Sequence, residues 1–216
     1  MFFIKYRMIS DLSIASRNEN RPLSIILVAH PRPPETYLRA LDLVSLGYDC
    51  SLSPGSIDAY GGLLLVGGGD VLPAFYRGDV PARNVNFVKD KLEFNLLHRF
   101  IGENKPGLAI CRGFQLVNAF FGGSLKNVNG HMGKQDVYHP VSACGEIFGK
   151  LDRVNSAHRQ AADIVPDNAK SSPSPPTSRS KRRFTAKIFS ALSFTPKEWK
   201  TAATKYTNIF YRFFNC

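Results

Sequence analysis

The sequence predicts an α/β fold in which a parallel sheet is covered by helices on both faces. Three continuous apolar runs, "PLSIILVAH", "GGLLLVGGGD" and "PGLAI", are typical of strands buried on both faces. Segments with the apolar spacing of amphipathic helices separate these runs. With 216 residues, the chain is long enough for one such domain with tails.

Strand and helix patterns alternate along the chain. The strand "PLSIILVAH" ends at a Pro-rich turn, and the helix "ETYLRALDLVSLG" ends before Gly47, a residue type suited to a helix C-terminus. After the glycine-rich run comes the clearest helix, "KDKLEFNLLHRFIGENK", in which Asp90 and Glu93 are expected to form a capping box. "PGLAI" and "FQLVNAFFGG" are the next strand and helix. Ligands bind beyond the carboxyl ends of parallel strands, so the Gly67–Gly69 turn and Cys111 are expected on one rim.

The charge distribution divides the chain into parts. Residues 1–168 carry 18 Lys and Arg against 16 Asp and Glu, whereas residues 169–216 carry 10 basic residues and Glu198 alone. The later segment opens with a Ser/Pro-rich stretch without strand or helix period, which predicts an irregular, disordered tail. We therefore expect an N-terminal extension at 1–20, an α/β domain at 21–168 and a basic tail at 169–216.

Composition argues against several classes of protein. No apolar run approaches the length that a bilayer requires, and Lys5 and Arg7 interrupt the N-terminal apolar residues, so we expect neither a membrane partner nor a signal peptide. The four cysteines lack CxxC spacing, which argues against a zinc site and a disulfide framework. These observations predict a cytoplasmic protein without a metal or cofactor.

The cysteine after the third apolar run is the candidate catalytic residue. Cys111 stands between a predicted strand and a predicted helix, with the small residues Ala109 and Gly113 two positions to either side, as in a nucleophile elbow. The start of the helix favours a thiolate, and a glycine-rich turn can donate backbone N–H groups to an oxyanion. The alternative is an inert core cysteine. Together these features favour covalent acyl transfer.

Three motifs add a family resemblance to this interpretation. "LLLVGGGDVLPAFY", "KPGLAICRGFQLVNAFFGGSL" and "VNSAHRQAAD" resemble the γ-glutamyl-γ-aminobutyrate hydrolase family, peptidase family C26, of the class I glutamine amidotransferase-like superfamily. The similarity runs in order from Pro22 to Asp167. It implies a flavodoxin-like three-layer sandwich and a small γ-glutamyl compound as the substrate.

The resemblance also implies roles for individual residues. Cys111 would attack the side-chain amide carbonyl and form a thioester, while the backbone N–H groups of Gly68 and Arg112 would bind the oxyanion. The residues implied to face the substrate are Gln115, Asn155, Ser156 and His158.

Several positions leave more than one interpretation open. Ala109 replaces a glycine that is common in the family, and Arg159 replaces a second histidine, which leaves substrate preference open. Asp70 suits either a turn cap or a substrate contact. His158 is either a site residue or a strand-end histidine bonded to its own loop.

In the family, a late His-Pro-Glu motif would supply the base and the carboxylate that orients it. This motif is absent from the sequence, and no histidine follows His158. Codons permitted for Ala191–Thr201, read displaced by one base, spell Gln-Leu-His-Pro-Glu at the expected place. We therefore hypothesise a one-base frameshift near residues 168–174 that truncates the domain. Hydrolase activity is then expected to fall by at least ~10²–10⁴-fold, and His158 is a weaker candidate base.

Three other functions remain alternatives. The chain could be a glutamine amidotransferase subunit that releases ammonia for a partner, or a catalytically inactive binding protein. The basic tail could be a nucleic-acid arm, although its basic residues do not interleave with aromatic ones in a known pattern, which makes nucleic acid a weak expectation. The sequence leaves the oligomeric state open, a homo-oligomer included.

Overall fold

A computed structural model describes residues 25–43, 45–76, 78–131, 138–140, 153–155 and 158–166, the two strand segments 138–140 and 153–155 by their backbone alone. The predicted N-terminal extension and basic tail lie outside the described residues, so those boundaries and the proposed frameshift stay predictions.

The core is a four-stranded parallel sheet. Its strands are β1 (Ile25–Val28), β2 (Tyr48–Cys50), β3 (Tyr60–Leu65) and β4 (Gly107–Ala109), in the spatial order β2-β1-β3-β4. This is the strand order of doubly wound sheets of the flavodoxin type. The predicted α/β class and parallel sheet are confirmed.

Helices cover both faces of the sheet. They are α1 (Glu35–Asp42), α2 (Phe87–Gly102) and α3 (Arg112–Phe120). On one face, Ile26, Val28 and Leu64 form an apolar cluster with residues of α1. Residues that alternate with them in the strands form a second cluster with α2 and α3, which includes Leu27, Leu63, Leu65, Leu96, Leu97, Phe100 and Phe114. Successive strand residues point to opposite faces, which is why fully apolar strands suit this three-layer arrangement.

Two antiparallel strand pairs lie beyond the parallel sheet. Strand β5 (Leu125–Asn127) pairs with β8 (Gln160–Ala162), and β6 (Tyr138–Pro140) pairs with β7 (Arg153–Asn155). Leu125 and Ala162 join the cluster under α3, which ties the β5–β8 pair to the main core. Among the described residues, no helix combines the length and the apolar character that crossing a membrane requires.

The structure corrects the predicted end of α1. The helix ends at Asp42 with Leu43 as its C-cap, and Ser45 rather than Gly47 adopts a positive φ, of 55°. The prediction failed because it extended the apolar spacing through Leu46, which packs under the sheet from the loop.

The start of α2 also differs from the prediction. Asn86 is the N-cap, and its side-chain oxygen accepts a hydrogen bond from the Lys89 backbone N–H at 3.0 Å. The expected capping box is wrong, because the carboxylates of Asp90 and Glu93 are buried against the side chain of Arg112. A sequence pattern cannot distinguish a carboxylate that caps its own helix from one that pairs with a distant cation.

Candidate active site

Cys111 occupies a sharp turn between β4 and α3. Its backbone has φ 53° and ψ −113°, a conformation that residues other than glycine rarely adopt. The turn is closed by a hydrogen bond from the Gly113 N–H to the Ile110 carbonyl at 2.9 Å, and the cysteine is half-buried. Strain at a reactive residue on a strand-to-helix turn is the geometry of a nucleophile elbow.

The elbow leaves no space for a side chain at Gly113. A Cβ atom there would lie 2.6 Å from the Leu65 carbonyl oxygen and 2.8 Å from the Leu65 Cβ. Helix α3 therefore begins in direct contact with the end of β3, and only glycine permits that approach. The small residue two positions after Cys111 has a tertiary cause.

The first glycine of the Gly67–Gly69 turn lies beside Cys111. A Cβ atom on Gly67 would lie 3.7 Å from the Cys111 Cβ and 2.8 Å from the Tyr37 Oη. The Gly67 N–H donates a hydrogen bond to that hydroxyl oxygen at 3.1 Å. Tyr37 on α1 therefore already occupies the Gly67 amide, while the exposed Gly68 stays the predicted oxyanion donor.

Burial, with a smaller effect of the nearby Cys111, raises the pKa of Tyr37 well above its ordinary value. The phenol therefore stays protonated at neutral pH, and it accepts from Gly67 while keeping its own O–H as a donor. Tyr37 is a site residue that sequence reasoning missed, because only the packing of α1 against the sheet brings it to the glycine turn.

The residue that follows Cys111 belongs to a buried group of three charged side chains. The Arg112 guanidinium donates from Nη1 to Glu93 Oε2 at 2.5 Å and from Nη2 to Asp90 Oδ1. Asp90 also accepts the Leu72 backbone N–H at 2.9 Å. Burial opposes the charged form of Arg112, but the two carboxylates outweigh it and hold its pKa above the usual value. The side chain of Arg112 thus joins α3 to α2, while its backbone N–H, adjacent to Cys111, stays the predicted oxyanion donor.

Two of the predicted substrate residues meet at one carbonyl. Gln115, one turn beyond Cys111 on α3, is buried, and its Nε2 donates to the Gln160 carbonyl oxygen at 2.6 Å. The same oxygen lies 3.0 Å from His158 Nδ1. The His131 ring packs against the His158 ring with centroids 4.7 Å apart.

The structure describes the remaining predicted site residues only in part. Asn155 ends strand β7, where its backbone is in register with Tyr138, and Ser156 lies outside the described residues. Asp70 Oδ2 accepts the Arg83 backbone N–H at 2.8 Å and lies 3.6 Å from Arg159 Nε. These contacts favour the turn-anchoring interpretation of Asp70.

Among the described residues, no group of three or more His, Cys, Asp or Glu side chains is arranged to hold a metal ion.

The sequence profile of the Peptidase C26 family matches residues 44–173, which is more than half of the 216-residue chain. The chain belongs to the peptidase C26 family. The match contains the glycine turn, the elbow and the segment around His158, so the site geometry and the family coincide in the same part of the molecule.

Curated relatives of this C26 member include a Schizosaccharomyces pombe protein classed as a glutamine amidotransferase. It is 33% identical over 90 residues, which are 40% of this chain and 34% of the relative. Protein NtpR of Enterococcus hirae is 38% identical over 71 residues, 32% of this chain and 30% of the relative. The aligned segment thus spans about a third of these relatives' own length.

The fold resembles that of solved glutamine amidotransferases. The crystal structure of a glutamine amidotransferase from Thermotoga maritima superposes with a TM-score of 0.61 at 13% identity, covering 91% of this chain and 100% of that one. At this identity the likeness shows the fold alone, and it confirms the expected class I glutamine amidotransferase-like architecture.

One more rim residue was missed from the sequence. His30 follows β1, and its Nδ1 accepts the Arg32 backbone N–H at 3.0 Å, so the neutral ring carries its proton on Nε2. Burial lowers the pKa of His30, and the positive charges of Lys89 and Arg112 lower it further. Its position after the first strand, in the apolar run "SIILVAH", was a usable signal, because residues at the carboxyl ends of neighbouring parallel strands share one rim.

Proposed function

We propose that this C26 member hydrolyses γ-glutamyl amides through Cys111. The Cys111 sulfur forms a bond to the γ-carbonyl carbon, and the carbonyl electrons move onto the oxygen. Collapse of this intermediate breaks the carbon–nitrogen bond and releases the amine with one proton, leaving a thioester. Water then adds its hydroxyl group to the acyl carbon and returns a proton to the sulfur, which releases glutamate.

The observation that carries this proposal is the strained backbone of Cys111 directly beside the glycine turn. At a nucleophile elbow the reactive side chain is expected at the tip of the turn, and Cys111 is half-buried at that position. With Gly67 bonded to Tyr37, the backbone N–H groups of Gly68 and Arg112 are the pair assigned to the oxyanion. Loss of one such donor in an enzyme costs about 10²–10³-fold in kcat.

We further propose that turnover by this polypeptide is slow. Departure of an alkylamine requires a general acid, and the sequence contains neither the His-Pro-Glu motif nor a histidine after His158. Loss of general acid–base catalysis lowers rates by about 10²–10⁴-fold. The defect should be larger for an alkylamine leaving group than for p-nitroaniline, because the nitro group stabilises the departing nitrogen and makes its release less dependent on protonation.

The test is incubation with γ-glutamyl-p-nitroanilide and with γ-glutamyl-γ-aminobutyrate, followed by acid quench and peptide mass spectrometry. We expect a glutamyl adduct on the peptide that contains Cys111, together with faster release of p-nitroaniline than of γ-aminobutyrate. Cys111→Ser should abolish the adduct, whereas Cys50→Ser, which changes the half-buried cysteine of β2, should leave it unchanged. An adduct on another cysteine, or no adduct on either substrate, would contradict the proposal.

Restoring the displaced reading frame from about codon 170 tests the cause of the slow turnover. We expect the repaired gene to raise hydrolysis of the alkylamine substrate by ~10²-fold or more. Equal rates before and after repair would show that the late motif is irrelevant to this protein.

A glutamine amidotransferase is the second candidate, because curated relatives carry that class name. Such an enzyme would release ammonia from glutamine in preference to an alkylamine from a γ-glutamyl conjugate. Measuring ammonia and γ-aminobutyrate release from equal concentrations of the two substrates separates these functions.

A further inference from the structure

Lys89 brings a positive charge to the glycine turn. It lies in the first turn of α2, and a Cβ atom built on Gly68 would be 3.2 Å from its Nζ. The side chain is 14% exposed, so the ammonium lies at the border between the buried charges and solvent. The ammonium therefore lies next to the glycine to which we assign oxyanion binding.

The two buried carboxylates do not accept a hydrogen bond from the Lys89 ammonium. Arg112 already binds both Asp90 and Glu93. The Lys89 Nζ lies 3.7 Å from Glu93 Oε1, beyond hydrogen-bond distance, and that oxygen has no hydrogen-bond partner among the described residues. Lys89 is thus attracted to Glu93 by charge, but the Glu93 carboxylate does not accept a hydrogen bond from its ammonium. The N–H groups of Lys89 can therefore bind an anion at the turn.

Burial makes an added anion more favourable. It lowers the pKa of Lys89, although the charge of Glu93 opposes the shift. The charges of Lys89 and Arg112 also lower the pKa of His30, after the larger effect of burial, so the charge of Lys89 is felt at the rim. A carboxylate placed there would relieve the cost of a partly desolvated ammonium.

We propose that Lys89 binds a carboxylate of the substrate, the α-carboxylate of the γ-glutamyl group, beside the glycine turn. The inference rests on the proposed attack by Cys111 on a γ-glutamyl amide. Four carbon–carbon bonds separate the γ-carbonyl carbon from the α-carboxylate carbon, a span of at most about 5 Å. A γ-carbonyl oxygen at the Gly68 N–H therefore leaves the carboxylate within reach of the Lys89 ammonium.

The first experiment does not depend on turnover. Cys111 is alkylated with iodoacetate, which carries a carboxylate, and with iodoacetamide, its neutral analogue, and the rates are read by mass spectrometry of the peptide that contains Cys111. We expect Lys89→Met to lower the iodoacetate-to-iodoacetamide rate ratio by about 10-fold, since one close charge is removed. Lys89→Arg should keep the ratio within about 3-fold, because the charge is retained.

The matched control is Lys91→Met. Lys91 is an exposed lysine on the same helix, two positions away, and its loss should change the ratio by less than about 2-fold. Thermal unfolding of each variant checks that the fold is intact. An unchanged ratio in Lys89→Met, or an equal slowing of both reagents, would overturn the proposal, the second outcome showing that Lys89 acts on the thiolate.

The second experiment separates this proposal from the proposed function. γ-Glutamyl-p-nitroanilide is compared with its α-carboxamide analogue. Lys89→Met should raise KM about 10-fold for the carboxylate alone, with kcat nearly unchanged. A fall in kcat for both substrates would show that Lys89 stabilises the oxyanion instead. If the wild-type chain forms no glutamyl adduct, the proposed function fails, while the alkylation ratio still decides whether Lys89 recognises a carboxylate.

Discussion

At the scale of single residues, the site depends on backbone geometry that the side chains themselves disfavour. Cys111 holds a positive φ of 53°, and the amide beside it, Gly67 N–H, is held by the Tyr37 hydroxyl. Such strain costs about 1–3 kcal/mol for a residue other than glycine. The strained residue lies beside the glycine turn, with its Cβ 3.7 Å from a Cβ atom built on Gly67.

The strain at Cys111 predicts an order of stability among its variants. Cys111→Gly should be more stable than Cys111→Ala by about 1 kcal/mol, because glycine adopts this φ and ψ freely, an advantage reduced by its greater freedom in the unfolded chain. Both variants lack the nucleophile. Urea denaturation of the pair checks the order, and a more stable alanine variant would mean that the backbone relaxes at no cost.

The contact at Gly113 predicts a second, larger difference. Gly113→Ala should lower the free energy of unfolding by about 2–4 kcal/mol, because its Cβ would overlap the Leu65 backbone. Gly102→Ala is the control: it lies at the end of α2 with no atom within 4 Å of its built Cβ, and it should be neutral or stabilising by up to ~1 kcal/mol. Equal unfolding midpoints for the two variants would contradict the close approach of α3 to β3.

At the scale of elements, buried ion pairs of Arg112 with Asp90 and Glu93 link α3 to α2. Arg112 immediately follows Cys111, and its guanidinium reaches two carboxylates 19 and 22 residues earlier in the chain. A buried pair is weak evidence of net stability, but its partial removal leaves uncompensated charge.

The ion pairs of Arg112 predict that removing the arginine alone lowers stability more than removing it together with its two carboxylate partners. Arg112→Met should cost about 3–5 kcal/mol of unfolding free energy, and adding Asp90→Asn and Glu93→Gln should recover part of it, because no unpaired carboxylate then remains buried. The control is Arg39→Met, which breaks the exposed i,i+4 pair with Glu35 and should cost under ~0.5 kcal/mol. Chemical denaturation measures all three. A triple variant less stable than Arg112→Met would show that the carboxylates stabilise the fold by other contacts.

At the scale of the whole molecule, the parallel sheet gathers the ends of its strands on one rim. His30 follows β1, the glycine turn follows β3 and Cys111 follows β4. The positive groups Lys89 and Arg112 reach the same rim from α2 and α3, and they act on His30 as well as on the site. Charge on this rim therefore couples the stability of the fold to pH.

The lowered pKa of His30 predicts the direction of that coupling. Below the ordinary pKa of 6.5, the unfolded chain binds a proton at His30 more readily than the folded chain does, so stability falls as the pH is lowered through this range. His30→Asn should therefore lose less Tm than wild type between pH 7.5 and pH 5.5. His98→Asn, which changes an exposed histidine of α2, is the control and should follow wild type. A wild-type-like acid loss in His30→Asn would remove His30 as the cause.

The sequence by itself determined the fold class and the rim, and it predicted Cys111 as the nucleophile. Apolar strands that alternate with amphipathic helices have few other ways to bury their surfaces, and parallel strands bring Cys111 and the glycine turn to one edge. The tertiary structure decided which side chains lie at that edge of the sheet. Tyr37 comes to Gly67 from α1, Lys89 comes to Gly68 from α2, and the carboxylates expected to cap α2 bind Arg112 instead. The periodicity of apolar residues in the sequence does not predict these contacts, because they depend on how separate helices pack against the sheet.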